Sequence, residues 1–181
     1  MNDGLIPHRY AKALYKFAAE KGNQGVVYDE MKAVVAAFES NPDLGKVMNN
    51  PFLSREDKSR LLLAAAGPAV EDDFRGFVKL IIDKNREMFA YSMALAYRDI
   101  YRKANSISMV RIITAINMEE PELAKIRDLV RSAFKDRNLE FSYVVDSSII
   151  GGFVIDVDSV RMDASISNEI EKLRLTLLSS K

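Results

Sequence analysis

Gly151-Gly152-Phe153-Val154-Ile155-Asp156-Val157, continued by Arg161-Met162-Asp163-Ala164-Ser165-Ile166, decides how the end of this chain folds. Two successive glycines let a backbone turn sharply or lie against another backbone. Phe153, Ile155 and Val157 then alternate as a half-buried strand does. A turn near Asp158-Ser159, a short strand through Val160 and Met162, and a cap from Asp163 or Ser165 lead into a closing helix striped by Ile166, Ile170, Leu173 and Leu177. Upstream, Leu139, Phe141, Tyr143 and Val145 alternate as another strand. Before them Glu119-Glu120-Pro121 opens a helix, since acids and a first-turn proline suit exposed helix amides, and Leu123, Ile126, Val130 and Phe134 form its stripe. Val110, Ile112, Thr114 and Ile116 mark one face of a first strand. These parts predict a small α+β module over residues 105–181, with two helices covering one sheet face.

Before Asn105 the period is helical throughout, and the chain is expected to be mainly α. Tyr10, Leu14 and Phe17 recur at i, i+4 and i+7, beside small-residue faces of Ala11, Ala13 and Ala18, and Gly22 and Gly25 bracket the stop. Val27, Met31, Val34 and Phe38 stripe a second helix that ends before Asn41-Pro42, because proline disfavours helical geometry in the residue before it. A short third helix runs to Asn49-Asn50-Pro51. Ser54 caps a fourth whose first turn holds Glu56 and Asp57 and whose stop is Gly67-Pro68. Phe74, Phe77, Val78, Ile81 and Ile82 give a fifth a broad apolar face, and after Asn85 a sixth carries Phe89, Met93, Ala96 and Ile100. Six short helices over residues 1–104 imply an N-terminal six-helix bundle. The domain boundary is placed at Asn105.

Lys plus Arg and Asp plus Glu number 26 each in the 181 residues, so no overall field attracts nucleic acid or anionic lipid. There is no cysteine, which removes disulfides, thiolate metal sites and thiol catalysis. The one histidine, His8, leaves no histidine triad or His-rich metal site. No apolar run approaches a membrane span of about 18 residues, and the start lacks the pattern of a signal or transit peptide. Asp72-Asp73 and Glu119-Glu120 read as helix-start acids rather than a catalytic pair. Asp146, Asp156, Asp158 and Asp163 lack the spacing of a calcium loop and read as turn and cap residues. Gly151-Gly152 precedes a strand and lacks a phosphate-loop pattern. Arg98, Arg102 and Lys103, interleaved with Tyr97 and Tyr101, suit a helix C-terminus. Catalytic, cofactor-binding and metal-binding residues are therefore expected to be none. What stands out is apolar and small-residue surface on the first and fifth helices broad enough for one side to face the core and another an incoming amphipathic helix.

Four landmarks occur together: Arg9-Tyr10-Ala11-Lys12-Ala13-Leu14; Asn50-Pro51-Phe52-Leu53 followed by Lys58; Phe77 through Asn85-Arg86; and Gly151-Gly152 through Ser165. In this order they make the chain resemble the delta subunit of F-type ATP synthase, the family of the mitochondrial oligomycin-sensitivity-conferring subunit. The resemblance covers essentially the whole chain. Ala164 stands where many members have glycine, and His8 where small or basic residues are common. It implies a non-catalytic stator subunit, peripheral on the cytoplasmic face of the bacterial inner membrane, that keeps the catalytic head from turning with the rotor. Its partners would be the N-terminal helix of the alpha subunit, received by the six-helix bundle, and the peripheral-stalk b subunits, bound by the C-terminal module. Carried over, the alpha-binding residues are Tyr10, Ala13, Leu14, Phe17, Phe77, Val78, Leu80 and Ile81; the b-binding residues are Ile149, Ile150, Gly152 and Phe153. Nucleic acid and direct membrane insertion are not expected. The competing readings are a small phosphoryl-ligand enzyme using Gly151-Gly152, or a nucleic-acid adaptor using Arg98 to Lys103.

Overall fold

The computed structural model describes residues 4–134 and 138–179 and divides into two compact units, residues 1–104 and 105–181. The first contains α1 (Leu5–Lys21), α2 (Gln24–Ser40), α3 (Asp43–Asn49), α4 (Arg55–Ala66), α5 (Asp72–Asp83), a 3-10 turn (Glu87–Phe89) and α6 (Ala90–Ala104). Ala11, Ala18, Val27, Met31, Leu62, Ile81, Met93 and Tyr97 are among its closed core. The alanines of α1 leave room for α6, which lies along it with Tyr15 edge-on to Tyr97 at 6.0 Å between ring centres.

Helix ends follow local chemistry. Ser54 Oγ accepts the Asp57 amide at 3.1 Å, capping α4. Past α1, Gly22 takes the left-handed conformation (φ 78°); its amide reaches the Ala19 carbonyl and the Asn23 amide that of Ala18. That is a Schellman ending. α5 ends the same way without glycine: Asn85 stands at φ 51°, with the Asn85 and Arg86 amides on the Ile82 and Ile81 carbonyls at 3.0 and 2.7 Å. Asparagine tolerates this geometry better than most side chains. The turn displaces Phe89 from the sixth helix, where the sequence pattern put it, into the 3-10 turn.

The second unit contains β1 (Ile107–Thr114), α7 (Glu120–Ala133), β2 (Asn138–Val145), a 3-10 turn (Ser147–Ile149), β3 (Gly152–Val157), β4 (Val160–Ser165) and α8 (Ile166–Ser179). Strand order is β2-β1-β3-β4, parallel between β1 and β2 and antiparallel elsewhere. Ile112 sits beside Tyr143 and Ile155, and Val110 beside Phe141 and Val157. Val110, Ile112, Ile155 and Val157 pack with Ile126 and Val130 of α7. Two expectations are corrected. Ile116 lies past the end of β1 and is exposed, and α8 has no buried residue, its stripe of Ile166, Ile170, Leu173 and Leu177 being exposed throughout, although Ile166 touches Gly151. Among the described helices α7 closes the sheet's core face; α8 is anchored at its start, where the Ile166 amide donates to the Gly151 carbonyl at 3.0 Å and Ser165 Oγ accepts the Asn168 amide.

The glycine pair divides its work. Gly152 is left-handed at φ 74°, and a Cβ there would lie 2.2 Å from the Ala164 carbonyl oxygen; at Gly151 a Cβ would meet only the tip of Ile166, at 2.6 Å. Ala164, where glycine is common in the family it resembles, has no positive φ. Ahead of the pair, Ile150 holds φ 66°, ψ −43° while the Gly151 amide bonds the Ile149 carbonyl at 2.8 Å. This three-residue turn is rare and strained, more so for a β-branched side chain. Gly152→Ala is expected to cost on the order of 3 kcal/mol, combining backbone strain with a clash against main chain. Gly151→Ala should cost below about 1.5 kcal/mol, because an isoleucine terminus can swing aside. Urea unfolding of the two variants checks this, and equal losses would contradict the division.

Candidate docking groove

A groove of about 950 Å³ runs between α1 and α5. α1 contributes Ile6, Arg9, Tyr10, Ala13, Leu14, Phe17 and Lys21; α5 contributes Asp72, Asp73, Gly76, Phe77 and Leu80, with Arg86 just beyond its end. The α1 set recurs at the three- and four-residue steps that line up one helix face, and so does 73, 76, 77, 80 on α5. Leu14 and Phe77 form a buried floor, while Phe17 (48 % exposed) and Leu80 (47 %) stand as open walls. Gly76 adds width: a Cβ there would meet nothing within 4 Å.

Six of the eight expected alpha-binding residues therefore line the groove: Tyr10, Ala13, Leu14, Phe17, Phe77 and Leu80. Val78 and Ile81 do not. Both are 1 % exposed and belong to the bundle core, on the neighbouring stripe 74, 78, 81, 82. A helix turns about 100° per residue, so a face broad enough to serve core and groove carries the two sets on adjacent stripes. Of the expected b-binding residues, Ile149 is buried and Phe153 packs against the sheet core, whereas Ile150 and Gly152 are exposed. Besides Ile150, exposed apolar residues in this unit include those of α8, Tyr143, Val144 and Val145 of β2, Val160 and Met162 of β4, Leu129 of α7 and Ile116.

Charged groups shape the groove's ends. Lys21 Nζ donates to Asp73 Oδ1 at 2.6 Å and Asn23 Nδ2 to Asp73 Oδ2 at 2.7 Å, joining the end of α1 to the start of α5. The hydrogen bond from Lys21, reinforced by that from Asn23, holds the Asp73 carboxyl below the usual carboxylate range despite its burial. Lys21 also lies 4.3 Å above the Phe17 ring, steadying one wall. From behind, Glu30 of α2 accepts the Glu71 amide at 2.6 Å, tethering the residue that opens α5. Its other oxygen has no hydrogen-bond partner among the described residues. Burial raises the Glu30 pKa, with the Glu71 and Asp73 carboxylates adding to the rise and the Glu71 amide and Arg75 opposing it.

The other candidate chemistries dissolve into structure. Asp146 accepts the Ser148 amide, Asp163 the Ser165 amide, and Asp158 the Met109 amide, while Asp156 lies 3.6 Å from Arg161. Among the described residues no group of His, Cys, Asp and Glu could hold a metal ion. Arg102 Nε donates to the Tyr28 hydroxyl at 2.9 Å, so the basic cluster is partly built into the bundle.

The fold is similar to that of a chain in the cryo-EM structure of the Toxoplasma gondii mitochondrial ATP synthase hexamer, at a TM-score of 0.69 and 17 % identity over 96 % of this chain and 97 % of that one. The family model "ATP synthase delta (OSCP) subunit" matches residues 6–177. Among similar chains, "ATP synthase subunit delta" of Phocaeicola vulgatus is 36 % identical over 172 residues, covering 94 % of this chain and 92 % of the relative. That of Parabacteroides distasonis is 33 % identical over 181 residues, the full length of both. The chain belongs to the ATP synthase delta (OSCP) family.

Because its folded-state pKa is raised, Glu30 favours folding below its ordinary value of 4.5 and loses that contribution as pH climbs through the raised pKa. Glu30→Gln keeps an acceptor for the Glu71 amide and removes the ionisation. Its melting temperature relative to wild type should rise as pH climbs above 4.5 and level off once the raised pKa is passed. A difference that stays flat across a pH series of melts would show that the carboxylate is not held against ionisation.

Proposed function

We propose that this protein is a non-catalytic stator subunit of an F-type ATP synthase. The first unit would receive the N-terminal helix of the alpha subunit in the α1–α5 groove. The second would bind the peripheral-stalk b subunits, so that the catalytic head cannot turn with the rotor. The observation carrying this reading is the groove itself, with an apolar middle between charged ends and lined by α1 from Ile6 to Lys21, a span of about four helical turns, in a chain of this family. For the b subunits the exposed stripe of α8 offers the corresponding apolar surface, and of the residues first considered only Ile150 and Gly152 are accessible.

No helix among the described residues is long and apolar enough to cross a membrane, so attachment would come through partners, on the cytoplasmic face of the bacterial inner membrane. The enzyme and nucleic-acid readings are disfavoured, because backbone geometry accounts for Gly151-Gly152 and bundle contacts occupy Arg102.

The test uses Leu80→Asp and Phe17→Asp, with Val78→Asp as contrast. A carboxylate buried without a partner against an apolar helix costs about 2 kcal/mol or more, roughly 30-fold in affinity. Calorimetric titration with a peptide of the alpha-subunit N-terminus should show that loss for Leu80→Asp and Phe17→Asp, with melting temperatures close to wild type. Val78→Asp should instead unfold the bundle. Wild-type affinity in both wall variants would place the head-binding site elsewhere.

A further inference from the structure

The groove has electrical polarity as well as apolar length. Lys21 at the end of α1 meets Asp73 at the start of α5, so the two helices line the groove in opposite senses. At that shared end Lys21 and Asp73 neutralise each other, leaving Asp72 as the uncompensated charge among the lining residues. At the opposite end, where α1 begins and α5 has finished, stand Arg9 and Arg86. Neither arginine, nor Asp72, has an ion-pair partner among the described residues. The backbone that carries Arg86 is also fixed in place. Its amide completes the Schellman ending, Arg55 donates to Asn85 at 3.1 Å, and Lys58 pairs with Glu87 at 2.8 Å in near-complete burial.

An amphipathic helix lying in this groove presents one end to two guanidinium groups and the other to a carboxylate. Full side-chain charges outweigh the half-charges of a helix macrodipole, and a helix is itself most stable with acids in its first turn and bases in its last. One arrangement meets both conditions. Resting on the docking reading above, we propose that the groove selects a helix with an acidic first turn and a basic last turn and seats it parallel to α1, its acidic turn at Arg9 and Arg86 and its basic turn at Asp72.

The probes are two synthetic peptides of about 16 residues, long enough to run from Ile6 to Lys21 at about 1.5 Å per residue. They share one Leu/Ala face. The first carries Glu in its first turn and Lys in its last; the second has these reversed. The first is expected to bind at least tenfold more tightly, with a difference that shrinks as salt is raised. A nitroxide on its N-terminus should broaden amide resonances around residues 84–88 and leave those of 20–23 sharp. The Arg9→Glu/Arg86→Glu double variant, checked by a thermal melt, should bind it at least tenfold more weakly; Arg9→Gln/Arg86→Gln should fall between that and wild type. Equal affinity of the two peptides, or broadening at residues 20–23, overturns the proposal. If the alpha-subunit segment still binds in that case, only the polarity is wrong. If neither designed peptide nor that segment binds, the docking reading fails with it.

Discussion

The pairing of Asp73 with Lys21 and Asn23 is the constraint on which the first unit's working surface depends. A carboxylate with a side chain only 3 % exposed tolerates its charge because two donors from the end of α1 reach it. Those donors are available because Gly22 reverses the chain and brings Asn23 round beside Lys21. The bond thereby sets the distance between the groove's walls at one end. It also carries a pH signature opposite to that of Glu30. Asp73, with its pKa depressed, stabilises the fold above its ordinary 3.8 and loses that contribution as pH falls through the depressed value. Glu30 and Asp73 both act on the opening of α5, so two opposed pH dependences meet at one helical turn beside the groove, with Asp73 weakening it towards acid and Glu30 as pH rises.

The opposite end is held by a different device. Asn85 adopts the left-handed turn, Arg55 of α4 reaches it, and Lys58 inserts beside Glu87. Exchanging a buried ion pair for apolar residues is often neutral or stabilising, so Lys58 and Glu87 are better understood as fixing position than as adding stability. They settle where the segment after α5 runs. Three sequence landmarks, Lys58, Asn85 and Arg86, acquire a shared physical reason: they determine what stands at the mouth of the groove without contributing to its apolar floor.

Much of the fold was legible because its signals are local. Gly22, Pro42, Ser54 and Gly67 mark helix ends through their own backbone or side-chain chemistry, and the period change near Asn105 coincides with the end of α6. The groove was legible to the level of helices and only partly to residues. Periodicity shows that α5 is apolar over a wide arc; it does not show which edge of the arc faces the core, and Val78 and Ile81 were misplaced for that reason. Arg9, Lys21, Asp73 and Arg86 were not singled out as groove residues, because their roles arise between elements distant in sequence. Asp73 reads locally as an ordinary helix-start acid. Gly76 offered a missed signal: glycine within a helix costs roughly 0.5–1 kcal/mol relative to alanine, a reason to look for open space beside it. On β3, alternation identified Ile155 and Val157 but not Val154, which is equally buried on the other face.

α8 is a fourteen-residue helix with no buried residue, and isolated helices shorter than about 12–15 residues are marginal in water. Its cap and its first backbone bond nucleate it, yet the remaining turns draw little from the sheet. The free energy needed to open those turns is therefore small beside that of the unit as a whole, and amides towards Ser179 should exchange with solvent through local fraying rather than global unfolding. Any protein that covers the stripe would suppress the fraying along with the exposed apolar area. Its binding would then carry the unfavourable entropy of ordering a helix and the negative heat capacity of burying a hydrophobic face, a thermodynamic signature separable from that of a helix entering the already folded groove of the first unit.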